Sequence, residues 1–163
     1  MARNRPGTVT KLGYLNVIYG LAMLAAVWLL FGPVVREGWA GLPDIWRKAP
    51  PIFHTWLGVK YPLEGLTALA LVIAGIGLLR LKKWARLYSL VYGVYGLVMA
   101  AATVGMKLGF LLPASRGPDR FVIATTTVIT AIVTVIYPGA LLVLLVNPKV
   151  KAAFGDRGEE DEA

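Results

Sequence analysis

The chain has no cysteine and a single histidine, His54. Without thiols there is no disulfide, no thiolate nucleophile and no cysteine-ligated metal; the compartment stays open on that ground. One histidine cannot build a multi-histidine metal site or hold a haem from both faces. Acids are scarce too. Before position 156 only Glu37, Asp44, Glu64 and Asp119 occur. No HExxH, P-loop, dinucleotide fingerprint or GxSxG is present. We therefore expect no catalytic residues, no metal and no cofactor, and read the protein as not an enzyme.

Apolar sequence is what the chain has in plenty. Of 163 residues 57% are hydrophobic and only 16% charged, with a mean hydropathy of +0.65. Four long apolar runs cover 12–35, 63–79, 87–106 and 121–146, and Glu64 is the one charge inside them. A bilayer core about 30 Å thick takes roughly 20 helical residues to cross, and a charge within it is costly. The chain thus reads as all-α, a four-transmembrane-helix bundle with spans at about 12–35, 62–81, 86–111 and 121–146. Pro62 is expected to start the second span. The four spans form one membrane domain, 1–154, followed by a disordered acidic tail, 155–163. A long first outer loop, 36–61, is rich in proline and tryptophan. The first run follows Arg3, Arg5 and Lys11 as in a signal peptide. It is about twice the length of a signal core, so we expect a retained signal anchor.

Four spans put both termini on one side. Ten of the 17 Lys and Arg residues then fall on that side: Arg3, Arg5, Lys11, Arg80, Lys82, Lys83, Arg86, Lys149, Lys151 and Arg157. The other seven are Arg36, Arg47, Lys48, Lys60, Lys107, Arg116 and Arg120. Short basic loops stay cytoplasmic. The turn from Arg80 to Arg86 therefore points to cytoplasmic termini, with Trp84 in the headgroup layer. The net charge of +8 implies topology and anionic lipid rather than nucleic acid. After the fourth span, Asn147-Pro148 reads as a helix cap opening a short amphipathic helix that Gly155 ends.

Helical periodicity gathers several groups on shared faces. Ser89, Gly93, Gly96 and Ala100 form a small-residue face suited to close helix packing. Tyr88, Tyr92, Tyr95 and Met99 form a neighbouring stripe, suited to aromatic packing or to a quinone, lipid or pigment pocket. Thr126, Thr127, Thr130, Thr134 and Tyr137 make a polar stripe that ends at Pro138, a residue that frees the Thr134 carbonyl. Glu64 and Lys107 both lie near the outer boundary, on protein-facing sides, and are a candidate intramembrane pair. Asn16 is costly against lipid and is expected to bond a neighbouring helix. Trp39, Trp46, Phe53 and Trp56 of the outer loop are a candidate contact surface. Tyr19-Gly20-Leu21-Ala22-Met23 is echoed by Tyr95-Gly96-Leu97-Val98-Met99, a faint sign of duplication.

Two segments carry a resemblance. Gly75-Ile76-Gly77-Leu78-Leu79-Arg80-Leu81-Lys82-Lys83-Trp84-Ala85-Arg86 resembles the glycine-rich helix end and basic Trp-Ala-Arg turn of small bacterial four-helix membrane proteins. Tyr137-Pro138-Gly139, with Asn147 to Phe154, resembles how many of those chains end. The resemblance implies a bacterial inner membrane and supplies no activity. Gly41-Leu42 followed by Trp46 is similar to the claudin outer-loop motif. The cysteine pair of that motif is missing here, so that family is not adopted. The expected role is a non-catalytic accessory or assembly subunit whose partners are the lipid bilayer and other membrane subunits, or a second copy. A small homo-oligomeric transporter or pore and a lipid- or quinone-binding protein are the alternatives.

Overall fold

The computed structural model describes residues 7–42 and 44–155. The acidic segment after Gly155, along with Arg3 and Arg5, lies outside the described residues. Helix α1 covers Gly7–Glu37 and runs into a 3-10 turn, Gly38–Gly41. A short helix α2, Asp44–Arg47, leads to α3, Pro51–Leu79. Helix α4, Lys83–Met106, continues through a wider π turn, Lys107–Leu111, into α5, Leu112–Ala114. Helix α6 covers Pro118–Val146 and α7 Pro148–Gly155. No strand occurs among the described residues. Prolines open α3 and α6, where a missing N–H costs nothing.

Four helices, α1, α3, α4 and α6, are long and apolar enough to cross a membrane. At most 33% of the most apolar stretch of any of them is buried inside the bundle. Large side chains such as Trp28, Leu29, Leu66, Val98 and Ile136 face outward along the spans. A soluble monomer does not expose apolar surface on this scale, whereas a bilayer solvates it. The chain is a multi-pass integral membrane protein.

Two apolar clusters close the bundle. At the end carrying both described termini, Val9 and Leu12 of α1 meet Leu78, Leu81, Ala85, Leu145, Val150 and Phe154. Helix α7 therefore docks Val150 and Phe154 into the bundle. At the far end Val34, Leu42, Phe53, Leu57, Tyr61, Leu111 and Ile123 pack together. The α3–α4 turn closes the terminal end with a Schellman motif: Lys82 N–H donates to the Gly77 carbonyl at 2.9 Å and Leu81 N–H to that of Leu78 at 3.0 Å. Leu81 takes the left-handed position, φ 54°, usually given to glycine. Its burial in the terminal-end cluster offsets the strain.

The second span departs from the expectation. Helix α3 begins at Pro51, and Pro62 lies inside it. Phe53, Leu57 and Tyr61 are buried four residues apart, which is a helical stripe. The outer loop expected over 36–61 is therefore shorter, and its last 11 residues belong to a transmembrane helix. Lys60 moves with it from loop to span.

Candidate functional site

All four spans contribute to one interhelical cavity of about 50 Å³. Helix α1 provides Tyr19 and Met23, and α3 provides Lys60 and Glu64. From α4 come Tyr92, Tyr95, Met99 and Thr103, and from α6 Thr130, Thr134 and Pro138. The two segments that echo each other in sequence thus place Tyr19 and Met23, and Tyr95 and Met99, on the same cavity.

An ion pair forms part of the wall. Lys60 Nζ lies 2.7 Å from both Glu64 oxygens, and the side chains are only 12% and 17% exposed. Neither charge is stable alone in such a place, and the pairing within one helix turn makes both tolerable. The Lys60 ammonium also sits 4.8 Å from the ring centre of Tyr61.

Below the pair lies a cluster of tyrosines. Tyr92 donates its hydroxyl to the Met23 sulfur at 3.0 Å, a weak acceptor. The Tyr95 hydroxyl is screened from solvent and makes no close hydrogen bond among the described residues, with Thr67 beside it. Tyr19 stacks on Tyr137 at 3.8 Å between ring centres. Tyr137 donates to Asn16 Oδ1. Asn16 Nδ2 in turn donates to Ser89 Oγ at 2.9 Å, and Ser89 to the Ala85 carbonyl at 2.8 Å. This fully bonded chain ties α1, α4 and α6 together beneath the cavity.

Glu64 and Lys107 do not pair. Glu64 finds Lys60 one turn away on its own helix. Lys107, at the start of the π turn, donates instead to Thr130 Oγ1 of α6 at 3.0 Å. The extension of α3 back to Pro51 puts Lys60 within reach, and a sequence reading with α3 starting at Pro62 leaves Lys60 in a loop. The threonine stripe divides. Thr130 and Thr134 line the cavity, Thr127 is buried and Thr126 is exposed. Each hydroxyl donates to a carbonyl one turn back in α6, at 2.6 to 3.1 Å. Tyr137 belongs to the Asn16 chain rather than to the stripe.

The small-residue face is occupied within the chain. A methyl at Gly93 would stand 2.8 Å from Leu142, and one at Gly96 2.6 Å from Pro138, so this face seats α6 on α4. Ser89 holds Asn16, and Ala100 is buried at the cavity. The aromatic group of the first connection is folded inward in part. Phe53 is buried, with Trp46 and Trp56 packed on its cluster. Trp39 is half exposed and stacks on His54 at 5.2 Å. His54 Nε2 lies 2.9 Å from the Trp46 carbonyl oxygen.

Sequence reasoning missed Lys60 and Thr103. For Lys60 the signal was available in the spacing of Phe53, Leu57 and Tyr61. Thr103 carries no local signal.

The four apolar spans define an integral membrane protein, and a small, partly open cavity with a mostly apolar lining lies between them. Comparison with known protein families, with curated proteins and with solved structures returned no match. The site itself must therefore argue the function.

Proposed function

We propose that this protein is a non-catalytic binding protein of the bacterial inner membrane, with cytoplasmic termini, that holds the polar end of a lipid-like molecule between its spans. The observation that carries this is the cavity walled by all four spans, with a charged pair and a tyrosine hydroxyl that makes no close hydrogen bond among the described residues. Its size argues against a quinone ring. Benzene occupies a cavity of about 150 Å³, roughly three times the volume here. A pore is disfavoured by the apolar clusters at both ends, which interrupt a polar path.

The accessory-subunit reading keeps one support. Gly105 and Gly109 flank Lys107 with open space where a side chain would stand, so another helix has room to approach. The small-residue face first considered for partners seats α6 on α4, while Trp39 of the outer connection stays half exposed.

Native mass spectrometry of the protein, extracted gently from its own membrane, tests both. A retained mass of a few hundred daltons is the expected result. A stoichiometric foreign polypeptide with no small molecule would replace the binding role with the subunit role.

A further inference from the structure

The charges around the cavity do not cancel. Glu64 is matched by Lys60, with both oxygens engaged. Lys107 has no carboxylate partner among the described residues, and its ammonium rests on the neutral hydroxyl of Thr130. That hydroxyl already donates to the Thr126 carbonyl at 2.6 Å, so it serves Lys107 only as an acceptor. Thr130 lines the cavity, which puts a surplus positive charge one hydroxyl away from it. A cation in a low-dielectric setting gains far more from an anion than from an alcohol.

Two further donors lack a strong acceptor. The Tyr95 hydroxyl makes no close hydrogen bond among the described residues, having only Thr67 beside it, and that of Tyr92 has a thioether. The cavity thus offers donors and net positive charge, and it lacks an anion. Its volume of about 50 Å³ suits a group of a few heavy atoms. On the same measure a single water needs about 10–15 Å³. The remainder of such a ligand must leave sideways. Contact between α1 and α6 is narrow: the Tyr19–Tyr137 stack and the Tyr137–Asn16 bond join them beside the cavity, and the apolar cluster joins them at the terminal end. The seam between these two helices is where an apolar chain would displace the least packing on its way to lipid.

We infer that the cavity binds the carboxylate of a single-chain amphipath of the fatty-acid class, with Lys107 turning from Thr130 onto it and Tyr95 donating a second hydrogen bond. The flexible four-carbon stem of lysine permits that turn. This inference rests on the binding role proposed above and names its ligand chemistry.

The test uses the full chain in phosphatidylcholine nanodiscs, titrated with palmitate and with methyl palmitate and read by native mass spectrometry. Palmitate is expected to bind one per chain, at least about tenfold tighter than its ester, since hydrogen bonds to charged groups are the strong ones. Lys107→Gln should remove that preference. Tyr95→Phe should weaken palmitate several-fold with little change in thermal stability, because Thr67 neighbours that hydroxyl without a close hydrogen bond to it. Equal binding of acid and ester would overturn the anionic assignment and leave the binding role standing. A preference that survives Lys107→Gln would overturn the part given to Lys107. If neither probe binds and no amphipath stays with the native protein, the binding role itself falls.

Discussion

Asn16 stands where three helices meet, and its amide uses both ends. Its nitrogen serves Ser89 of α4 and its oxygen receives Tyr137 of α6. With every group in the chain bonded, the polar layer holds the rotation of α1 against its neighbours. Asn16→Ala strands the Tyr137 hydroxyl and should cost about 1–2 kcal/mol in reversible detergent unfolding. Tyr137→Phe keeps the stack on Tyr19 and should cost less, about 0.6 kcal/mol. The reverse order of the two losses would remove Asn16 from the centre of this network.

The charged residues yield to the same kind of test. A double-mutant cycle between Lys60→Met and Glu64→Gln should give a coupling of about 0.5–1 kcal/mol, the range of a partly shielded pair one turn apart. A cycle between Glu64→Gln and Lys107→Gln should give a coupling within about 0.3 kcal/mol of zero. Comparable coupling in the second cycle would restore the pairing that sequence reasoning expected.

At the scale of the element, close approach decides which glycines matter. A methyl on Gly20 would stand 2.8 Å from the Ala68 carbonyl oxygen and 2.7 Å from Val72. The backbone of α3 has no way to retreat without separating the helices. Gly20→Ala should therefore destabilise by about 1–3 kcal/mol. Gly105, in open space within α4, should gain about 0.5–1 kcal/mol from the same change, since alanine is the better helix former. Thermal unfolding of the two variants in one detergent checks the contrast, and loss of stability in both would argue against it. Spacing alone does not separate the two cases. Gly105 and Gly109 form a GxxxG that seats nothing within this chain, while Gly20, without such a motif, seats α3.

At the scale of the whole molecule, the absence of cysteine makes orientation measurable. Single cysteines can be introduced without removing any. The terminal end carries Lys11, Arg80, Lys82, Lys83, Arg86, Lys149 and Lys151 with no acid among the described residues. The far end carries Glu37, Asp44 and Asp119 among its cations. Lys82→Cys and Lys151→Cys should resist a membrane-impermeant maleimide in intact cells, and Lys48→Cys and Arg116→Cys should react. Labelling from the opposite side would invert the proposed topology.

The four membrane helices were legible from sequence because apolar run length is measured against a fixed bilayer thickness, a one-dimensional comparison. The extension of α3 was hidden by prolines at 50, 51 and 62, which read as loop, although Pro51 sits in the first helical turn, where proline is at home, and Pro62 lies inside the helix, as membrane helices tolerate. That one boundary carried Lys60 into the site and redirected Glu64. The aromatic and threonine faces were visible as stripes, yet which neighbours they meet was not. Composition and periodicity by themselves determined that this is an all-α, four-span membrane protein with a basic end. Only the tertiary structure decided that Glu64 pairs with Lys60, that Lys107 rests on Thr130, and that the tyrosines surround a cavity. Those outcomes depend on how far each helix is turned about its axis and on ångström-scale distances between helices, which a periodic pattern leaves free.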